Sequence, residues 1–197
     1  MTGEDAFRGA LLFLVLLSVA VAGYHRFQAT RSGEQISRRG EGWLLFLAIR
    51  LSGVLLLAAT VLYLAQKEWT RWASLPLPAA LRGAGAALGL CSVLLLYWTL
   101  STLGKNLTDT VAVRTNHTLV THGPYRWVRH PYYLTTLLLV IACFLLAANW
   151  FIGLAGLLLF ALLAVRTPLG EQQLVERFGD EYRVYMRRTG RFLPRWR

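Results

Sequence analysis

The sequence predicts an all-α integral membrane protein with about five transmembrane helices, the last two forming a tight hairpin, and a cytoplasmic amphipathic C-terminal helix. Hydrophobic residues make up 55% of the 197-residue chain and occur in long uninterrupted blocks, which a soluble core does not need. Basic residues collect between and after these blocks. A polar, turn-rich stretch at 104–133 cannot face hydrocarbon, so it lies at the membrane surface or lines a cavity. We expect a three-span region at 1–103 and a second region at 104–197.

The first two apolar blocks are long enough to cross a bilayer as helices. Phe7 to Tyr24 is the first predicted span, and no small-residue cleavage pattern follows it, so we expect it to stay as an anchor. The second runs from about Trp43 to Ala65, with aromatic residues at both ends. Arg50 lies inside it, either as a functional residue or as a side chain that reaches back to the headgroups. The second interpretation is favoured, because Arg50 is only about two turns from the helix end.

The third span is predicted from about Ala79 to Thr102. Gly85 and Gly89 have a G-x-x-x-G spacing, which lets two helices approach closely and indicates packing rather than chemistry. The cysteines, Cys91 and Cys143, both fall inside apolar blocks and form no C-x-x-C motif. They are therefore expected to be small core residues, with no metal site or disulfide.

Two shorter apolar runs, Leu134 to Ala148 and Phe151 to Val165, are separated only by Asn149 and Trp150. Each is short for a full crossing, so they predict a tight helical hairpin that is tilted or only partly spanning. The alternative is one long bent helix, which would place the C-terminal tail on the opposite side of the membrane.

The C-terminal region after Arg166 is predicted to start with a helix break at Pro168 and Gly170. From Glu171 to Arg188 apolar residues recur at helical spacing with charges between them. This pattern is typical of an amphipathic helix at the interface, or of one that closes over the polar stretch. Residues 191–194 are expected to anchor the tail.

The distribution of basic residues predicts the topology. The net charge of +11 would suggest nucleic acid as a partner of a soluble protein, but here most of the 21 lysine and arginine residues lie in the first loop, the polar stretch and the tail. Cytoplasmic loops carry such an excess, so the N-terminus is expected outside and the C-terminus in the cytoplasm. Anionic membrane lipids, and not nucleic acid, are the expected partners. The Arg-, Leu- and Ala-rich composition favours a bacterial inner membrane.

The polar stretch concentrates hydrogen-bond donors and aromatic rings, and two proline turns bring them together. His130 precedes Pro131, which disfavours helix at the histidine and suits the first turn of the helix that follows. The free N–H groups of such a helix entrance suit an anionic group of a ligand. His117 and His130 have no zinc-motif context, so no metal is expected. Loop residues that simply satisfy one another are the non-functional alternative.

The segment HTLVTHGPYRWVRHPYY at 117–133 is followed by an apolar hairpin, then by Arg166, Glu171, Leu174, FGDEY at 178–182 and Tyr185. This order of motifs resembles the isoprenylcysteine carboxyl methyltransferase family, whose wider group includes phospholipid methyltransferases. The similarity covers roughly residues 104–194, and the first two spans carry no comparable motif. It implies a membrane-embedded methyltransferase that encloses S-adenosyl-L-methionine between the loop, the hairpin and the C-terminal helix.

The resemblance also implies roles for individual residues. Arg166 matches the arginine that orients the substrate near the transferred methyl group, and is the candidate catalytic residue. The candidate cofactor-binding residues are Thr110, His117, Thr118, Leu119, Val120, Tyr125, His130, Pro131, Tyr132, Tyr133 and Glu171. Residues 104–197 would then be the cofactor-binding region, and the spans of 1–103 would face the substrate.

One position departs from the family pattern, which usually has two adjacent glutamates after the arginine. Aligned on Phe178-Gly179 without gaps, these positions are Gly170 and Glu171. The cofactor-binding glutamate therefore falls on Gly170, and is missing unless Glu171 replaces it through a shift of register.

The expected reaction is methyl transfer to a lipid or a lipophilic small molecule with a carboxylate or amine acceptor. A carboxylate needs no general base, whereas an amine must lose a proton, with His117 or His130 as the candidate base. One alternative is a catalytically degenerate membrane protein of the same fold, which the glycine at 170 supports. A less favoured one is an enzyme like the NADPH-dependent sterol reductases, which have a similar C-terminal region but are much larger.

Overall fold

The computed structural model describes residues 3–31, 42–65, 67–106 and 118–195. These residues form six α-helices connected by loops and short 3-10 turns. The helices are α1 (Gly3–Thr30), α2 (Trp43–Ala65), α3 (Ala79–Leu103), α4 (Pro131–Ala147), α5 (Trp150–Phe178) and α6 (Asp180–Arg188), and the turns are Lys67–Ala73, Gly104–Asn106 and Gly123–Arg126.

The helical membrane fold is confirmed. Within the described residues, α1, α2, α3 and α5 are long and apolar enough to cross a membrane. The shorter apolar helix α4 has 17 residues and is about 26 Å long, slightly less than the hydrocarbon thickness of about 30 Å. The second and third spans start at the predicted residues, and the first is longer at both ends than predicted. The division at residue 103 stays a prediction.

Helices α4 and α5 form the predicted hairpin, so the alternative of one long bent helix is wrong. The chain reverses at Ala148, whose φ of 46° is left-handed. The Asn149 side chain then caps α5, because its Oδ1 accepts hydrogen bonds of 3.1 Å from the backbone N–H groups of Phe151 and Ile152. Its Nδ2 donates to the Thr70 carbonyl oxygen at 3.1 Å, which holds the hairpin tip against the loop before α3.

The two glycines of α3 lie where neighbouring helices approach closely, as their spacing predicts. A Cβ at Gly85 would lie 2.7 Å from the Leu145 Cβ of α4, and one at Gly89 would collide with the Leu14 side chain of α1. Helix α3 therefore contacts both α1 and α4 through its small residues.

The predicted helix break at Pro168 is wrong. Helix α5 continues through Pro168 to Phe178, and Arg166, Thr167 and Glu171 around the proline are buried. Burial of these neighbours outweighs the hydrogen bond that proline cannot make. The break occurs instead at Gly179, where φ is +56°, so the amphipathic helix begins at Asp180 and not at Glu171.

In the first three spans the buried arginine is Arg82 rather than Arg50. Arg50 is exposed, and its guanidinium lies 5.0 Å from the centre of the Phe46 ring, one turn nearer the start of α2. This agrees with a side chain directed toward the headgroups. Arg82 donates to the Leu146 carbonyl oxygen at 2.7 and 3.0 Å and pairs with Glu4 at 2.5 Å. It thereby connects α1, α3 and α4 at one end of the bundle.

The described parts of the polar stretch and of the tail lie together at the other end of the bundle. A Cβ on Gly123 of the polar stretch would lie 2.7 Å from Oγ1 of Thr102, near the end of α3. The Tyr185 hydroxyl of α6 donates to the Tyr125 carbonyl oxygen at 2.6 Å. Because α5 carries the chain from the hairpin tip to this end, its polar half emerges beside the polar stretch.

Replacing Gly85 with alanine is expected to destabilise the bundle by about 1–3 kcal/mol, the usual cost of overfilling a packed site. The matched control is Gly83→Ala on the same helix, where an added Cβ meets no atom within 4 Å. Thermal unfolding of detergent-purified protein, followed by tryptophan fluorescence, measures both variants. Equal midpoints for the two would contradict the close packing of α3 on α4.

Candidate active site

A buried carboxylate, Glu171 of α5, is the centre of the candidate site. Its Oε1 accepts hydrogen bonds from Arg129 Nε at 2.9 Å and from His130 Nε2 at 3.2 Å. Its Oε2 accepts one from Arg191 Nη2 at 2.6 Å. Glu171 is only 3% exposed. A carboxylate so deeply buried is costly unless it is paired, and here two guanidinium groups and an imidazole supply the partners.

Arg129 connects this carboxylate to the end of α6. Its Nη1 donates to the Met186 carbonyl oxygen at 3.0 Å and also to that of Thr189. The last carbonyl groups of a helix have no partner within it and carry its negative dipole end, so a cation is stabilised there. The Arg129 guanidinium is therefore fixed from two sides.

His130 lies at the entrance to α4, as predicted. Its φ of −123° and ψ of 61° are not helical, and Pro131 is the first residue of the helix. The imidazole stacks on the Tyr133 ring, with 5.4 Å between centroids and 10° between planes. The His130 ring is therefore held between the Tyr133 face and the Glu171 carboxylate.

The chain after α6 crosses the candidate site, and we name residues 189–192 the C-terminal strap. Its backbone carbonyl groups at Gly190 and Arg191 accept hydrogen bonds from the N–H groups of Arg129 at 2.9 Å and His130 at 3.1 Å. The Phe192 ring lies against those of His130 and Tyr133, with centroids 6.1 and 6.3 Å apart. The strap therefore contacts both the charged and the aromatic side of the site.

Tyr125 and Tyr185 connect the polar stretch to α6. Both are buried, and burial raises the pKa of each phenol, so both stay protonated at neutral pH. The Tyr185 hydroxyl can therefore donate to the Tyr125 carbonyl oxygen. Tyr125 lies in the turn Gly123–Arg126, whose first residue has a φ of +59° that favours glycine.

The remaining predicted residues are placed as follows. Thr118 pairs with Asn106: its N–H donates to Asn106 Oδ1 at 3.3 Å, and its Oγ1 accepts from Asn106 Nδ2 at 3.1 Å. Leu119 and Val120, which follow it, are half-buried. Thr110 and His117 lie outside the described residues.

Arg166 is 8% exposed and lies five residues before Glu171 on α5. At about 1.5 Å per residue, the two lie about 7.5 Å apart along the helix axis. The sequence predicted a helix break between the candidate catalytic arginine and the buried carboxylate. Both instead belong to one continuous helix.

An apolar cavity of about 280 Å³ lies within the bundle and is lined by residues of α1 to α5. Hydroxyl groups among the lining residues donate to carbonyl groups of their own helices, for example Ser18 to Leu14 and Thr60 to Leu56. The cavity wall therefore offers few free polar groups. Tyr132, a predicted cofactor contact, also lines the cavity, and its ring packs at 6.1 Å from that of Tyr133.

Two of the lining residues are more than half exposed: Val19 of α1 at 61% and Leu57 of α2 at 53%. Since both belong to predicted spans, we expect their exposed surfaces to face lipid. The cavity therefore borders the outer surface of the bundle at α1 and α2.

Among the residues that the structure describes, no group of three or more histidine, cysteine, aspartate and glutamate side chains could hold a metal ion. His117 is not among them.

Sequence reasoning identified Glu171, His130 and their aromatic neighbours, but not Arg191 and Phe192, which it assigned only to an anchoring tail. Arg191 contacts a glutamate twenty residues earlier in the chain. No local periodicity or motif could have indicated that contact, because it depends on how the strap crosses the site.

The fold and this site define a helical membrane protein with a buried cluster of charged side chains at one end of the bundle. Residues 86–176 match the model of the isoprenylcysteine carboxyl methyltransferase (ICMT) family. This segment is slightly less than half of the chain, and its match confirms the resemblance seen in the motifs.

Known proteins that are similar to the chain include the following two. One is the cobalt-zinc-cadmium resistance protein CzcN of Cupriavidus metallidurans, 33% identical over 85 residues, which are 43% of this chain and 39% of that protein. The match thus spans about two fifths of that relative. The other is the structure of the eukaryotic intramembrane Ras methyltransferase ICMT, 23% identical, with a TM-score of 0.56 over 97% of this chain and 75% of that one. At that identity the second similarity establishes the fold.

Glu171→Gln is expected to lower the free energy of unfolding by about 1–3 kcal/mol and to loosen the strap, because two arginines lose their counter-charge. The control is Glu176→Gln, an exposed position on the same helix. Thermal unfolding and the rate of tryptic cleavage after Arg191 measure the two effects. If Glu171→Gln matched its control in both, the carboxylate would not hold the strap.

Proposed function

We propose that this protein transfers a methyl group from S-adenosyl-L-methionine to a lipid or a lipophilic small molecule in the membrane. The observation that carries the proposal is that two adjacent tyrosines link the Glu171 cluster to an apolar cavity within the bundle. Tyr132 and Tyr133 connect the two, since one lines the cavity and the other stacks on His130. The match of residues 86–176 to the family model supports the same reaction.

The residues present fit the methyl donor. A buried carboxylate suits its ammonium group, and the rings of His130, Tyr133 and Phe192 suit its purine and its sulfonium. Although Gly170 occupies the position of the family's glutamate, Glu171 supplies a carboxylate beside His130. The candidates Thr110, His117, Thr118, Leu119, Val120, Tyr125 and Pro131 complete the proposed donor site. When bound, the donor supplies an already activated methyl group.

The protein's own task is then to orient the acceptor and exclude water. We assign the orientation of a carboxylate acceptor to Arg166, whose planar guanidinium can bind both oxygens. An amine acceptor would need a base. A neutral His130 that donates its Nε2 proton to Glu171 keeps Nδ1 as a proton acceptor.

The apolar part of the acceptor is proposed to occupy the cavity. A cavity of 150 Å³ holds benzene, so 280 Å³ corresponds to roughly ten carbon atoms. A longer chain is proposed to leave the cavity past Val19 and Leu57, the lining residues that are more than half exposed. Entry from the lipid also spares the acceptor a passage through water.

We further propose a bacterial inner membrane location with the N-terminus outside and the C-terminus in the cytoplasm. The basic tail and the Glu171 cluster lie at the same end of the bundle, so this orientation would expose the donor site to the cytosol. The proposed partners are membrane lipids and the lipophilic acceptor, without nucleic acid or metal.

The donor distinguishes this proposal from its alternatives. Calorimetry on detergent-purified protein should show binding of S-adenosylmethionine and none of NADPH, and His130→Ala should abolish that binding without unfolding the protein. His122→Ala, an exposed histidine of the same stretch, is the control. NADPH binding alone would overturn the methyltransferase proposal, and binding of neither would favour a degenerate family member. Unchanged affinity in His130→Ala would place the pocket elsewhere.

Gly53→Leu is expected to fill the cavity and reduce transfer of labelled methyl to lipid extracts about tenfold or more, from the loss of apolar contact area. Gly53 lines the cavity, and an added Cβ there meets no atom within 4 Å. Val54→Leu, at a neighbouring lipid-exposed position, is the control. Donor affinity should be unchanged in both. Full transfer by Gly53→Leu would remove the cavity from the acceptor path.

A further inference from the structure

We propose that Arg191 of the C-terminal strap binds the α-carboxylate of the methyl donor, exchanging its present partner Glu171 for that ligand group. The inference rests on the proposed function. It assigns a role in the donor site to a residue outside the segment that matches the family model, 86–176.

The Glu171 carboxylate already accepts from three side chains. Oε1 accepts from Arg129, His130 and, at 3.4 Å, from Arg191 Nε, and Oε2 accepts from Arg191 Nη2 at 2.6 Å. Oε1 therefore has no lone pair left, whereas Oε2 accepts from Arg191 alone. A ligand ammonium that pairs with Glu171 must approach Oε2, and Arg191 is the donor that it meets there.

Arg191 is the donor that can leave. Its side chain is 44% exposed, against 9% for Arg129 and 15% for His130. Arg129 is also fixed by the carbonyl groups of Met186 and Thr189. Releasing a partly solvated guanidinium costs less free energy than removing a buried guanidinium from its partners.

The strap keeps the displaced guanidinium close to the site. The Arg191 carbonyl oxygen accepts from the His130 N–H at 3.1 Å, and the neighbouring Phe192 ring packs on His130 and Tyr133. The backbone of Arg191 therefore stays in place while its side chain turns. A Cβ at Gly190 would collide with the Leu193 carbonyl group, so the strap depends on a glycine for this tight path.

The charges of the site suit a ligand that carries both a positive and a negative group. Glu171 faces two guanidinium groups, so the cluster holds one positive charge in excess when His130 is neutral. The amino-acid end of the donor has an ammonium and a carboxylate on one carbon. If Glu171 takes the ammonium and Arg191 the carboxylate, each charged group has a partner, and the guanidinium fork matches the carboxylate oxygens.

The test compares two ligands that differ in the amino-acid end. S-adenosylhomocysteine has it, whereas 5′-methylthioadenosine has the nucleoside and thioether without it. By calorimetry, Arg191→Ala should weaken S-adenosylhomocysteine about tenfold to hundredfold and change methylthioadenosine by less than about twofold, because only the former offers a carboxylate. Arg191→Lys should fall between, since it has the charge but not the fork.

Arg195→Ala, in the same tail, is the control and should bind both ligands as the wild type does. If Arg191→Ala does not fold, Arg191→Gln, which can still donate to Glu171, takes its place under the same criteria. Equal weakening of both ligands, no weakening, or tighter S-adenosylhomocysteine binding overturns the role of Arg191 while the proposed function stands. If the wild type binds neither ligand, the proposed function itself fails.

Discussion

The pairing of one buried carboxylate with cations from distant parts of the chain organises the membrane-surface end of this protein. Glu171 lies on α5, Arg129 and His130 precede α4, and Arg191 follows α6. None of these elements could bury its own charge alone, because an unpaired ion in such a place would cost several kcal/mol. The carboxylate therefore fixes the position of the strap, and the strap in turn fixes His130. The geometry of the candidate site follows from this neutralisation of charge.

At the other end of the bundle a buried charge is also paired, but by different residues. Arg82 enters the bundle from the start of α3 and is met by Glu4 and by the Leu146 carbonyl group, with the Tyr63 hydroxyl donating to Glu4 at 2.9 Å. Between the two polar clusters the helices contact through apolar side chains and through Gly85 and Gly89. The apolar cavity lies in this middle layer. An acceptor chain there would meet no charged group until it reached the turn of Tyr132.

The sequence predicted those parts of the structure whose cause is local. Trp43 and Ala65 bound α2 because hydrophobicity ends there, and His130-Pro131 starts α4 because proline dictates it. Pro168 misled the prediction, since its effect on a helix is outweighed by the burial of its neighbours, and sequence alone does not report burial. Arg82 and Arg191 were missed for a related reason. A basic residue near a helix end or in a tail is expected to be solvated, and only the fold shows that it pairs with a carboxylate.

The glycine at 170 affects the balance of charge at the site. A glutamate at position 170 would bring a second carboxylate to this turn of α5. With glycine there, Arg129 and Arg191 share one carboxylate, and the excess positive charge remains available to a ligand. An anionic group is thus stabilised beside Arg191, as the proposed binding of the donor's α-carboxylate requires. The substitution that removes a family residue is therefore compatible with that role of Arg191.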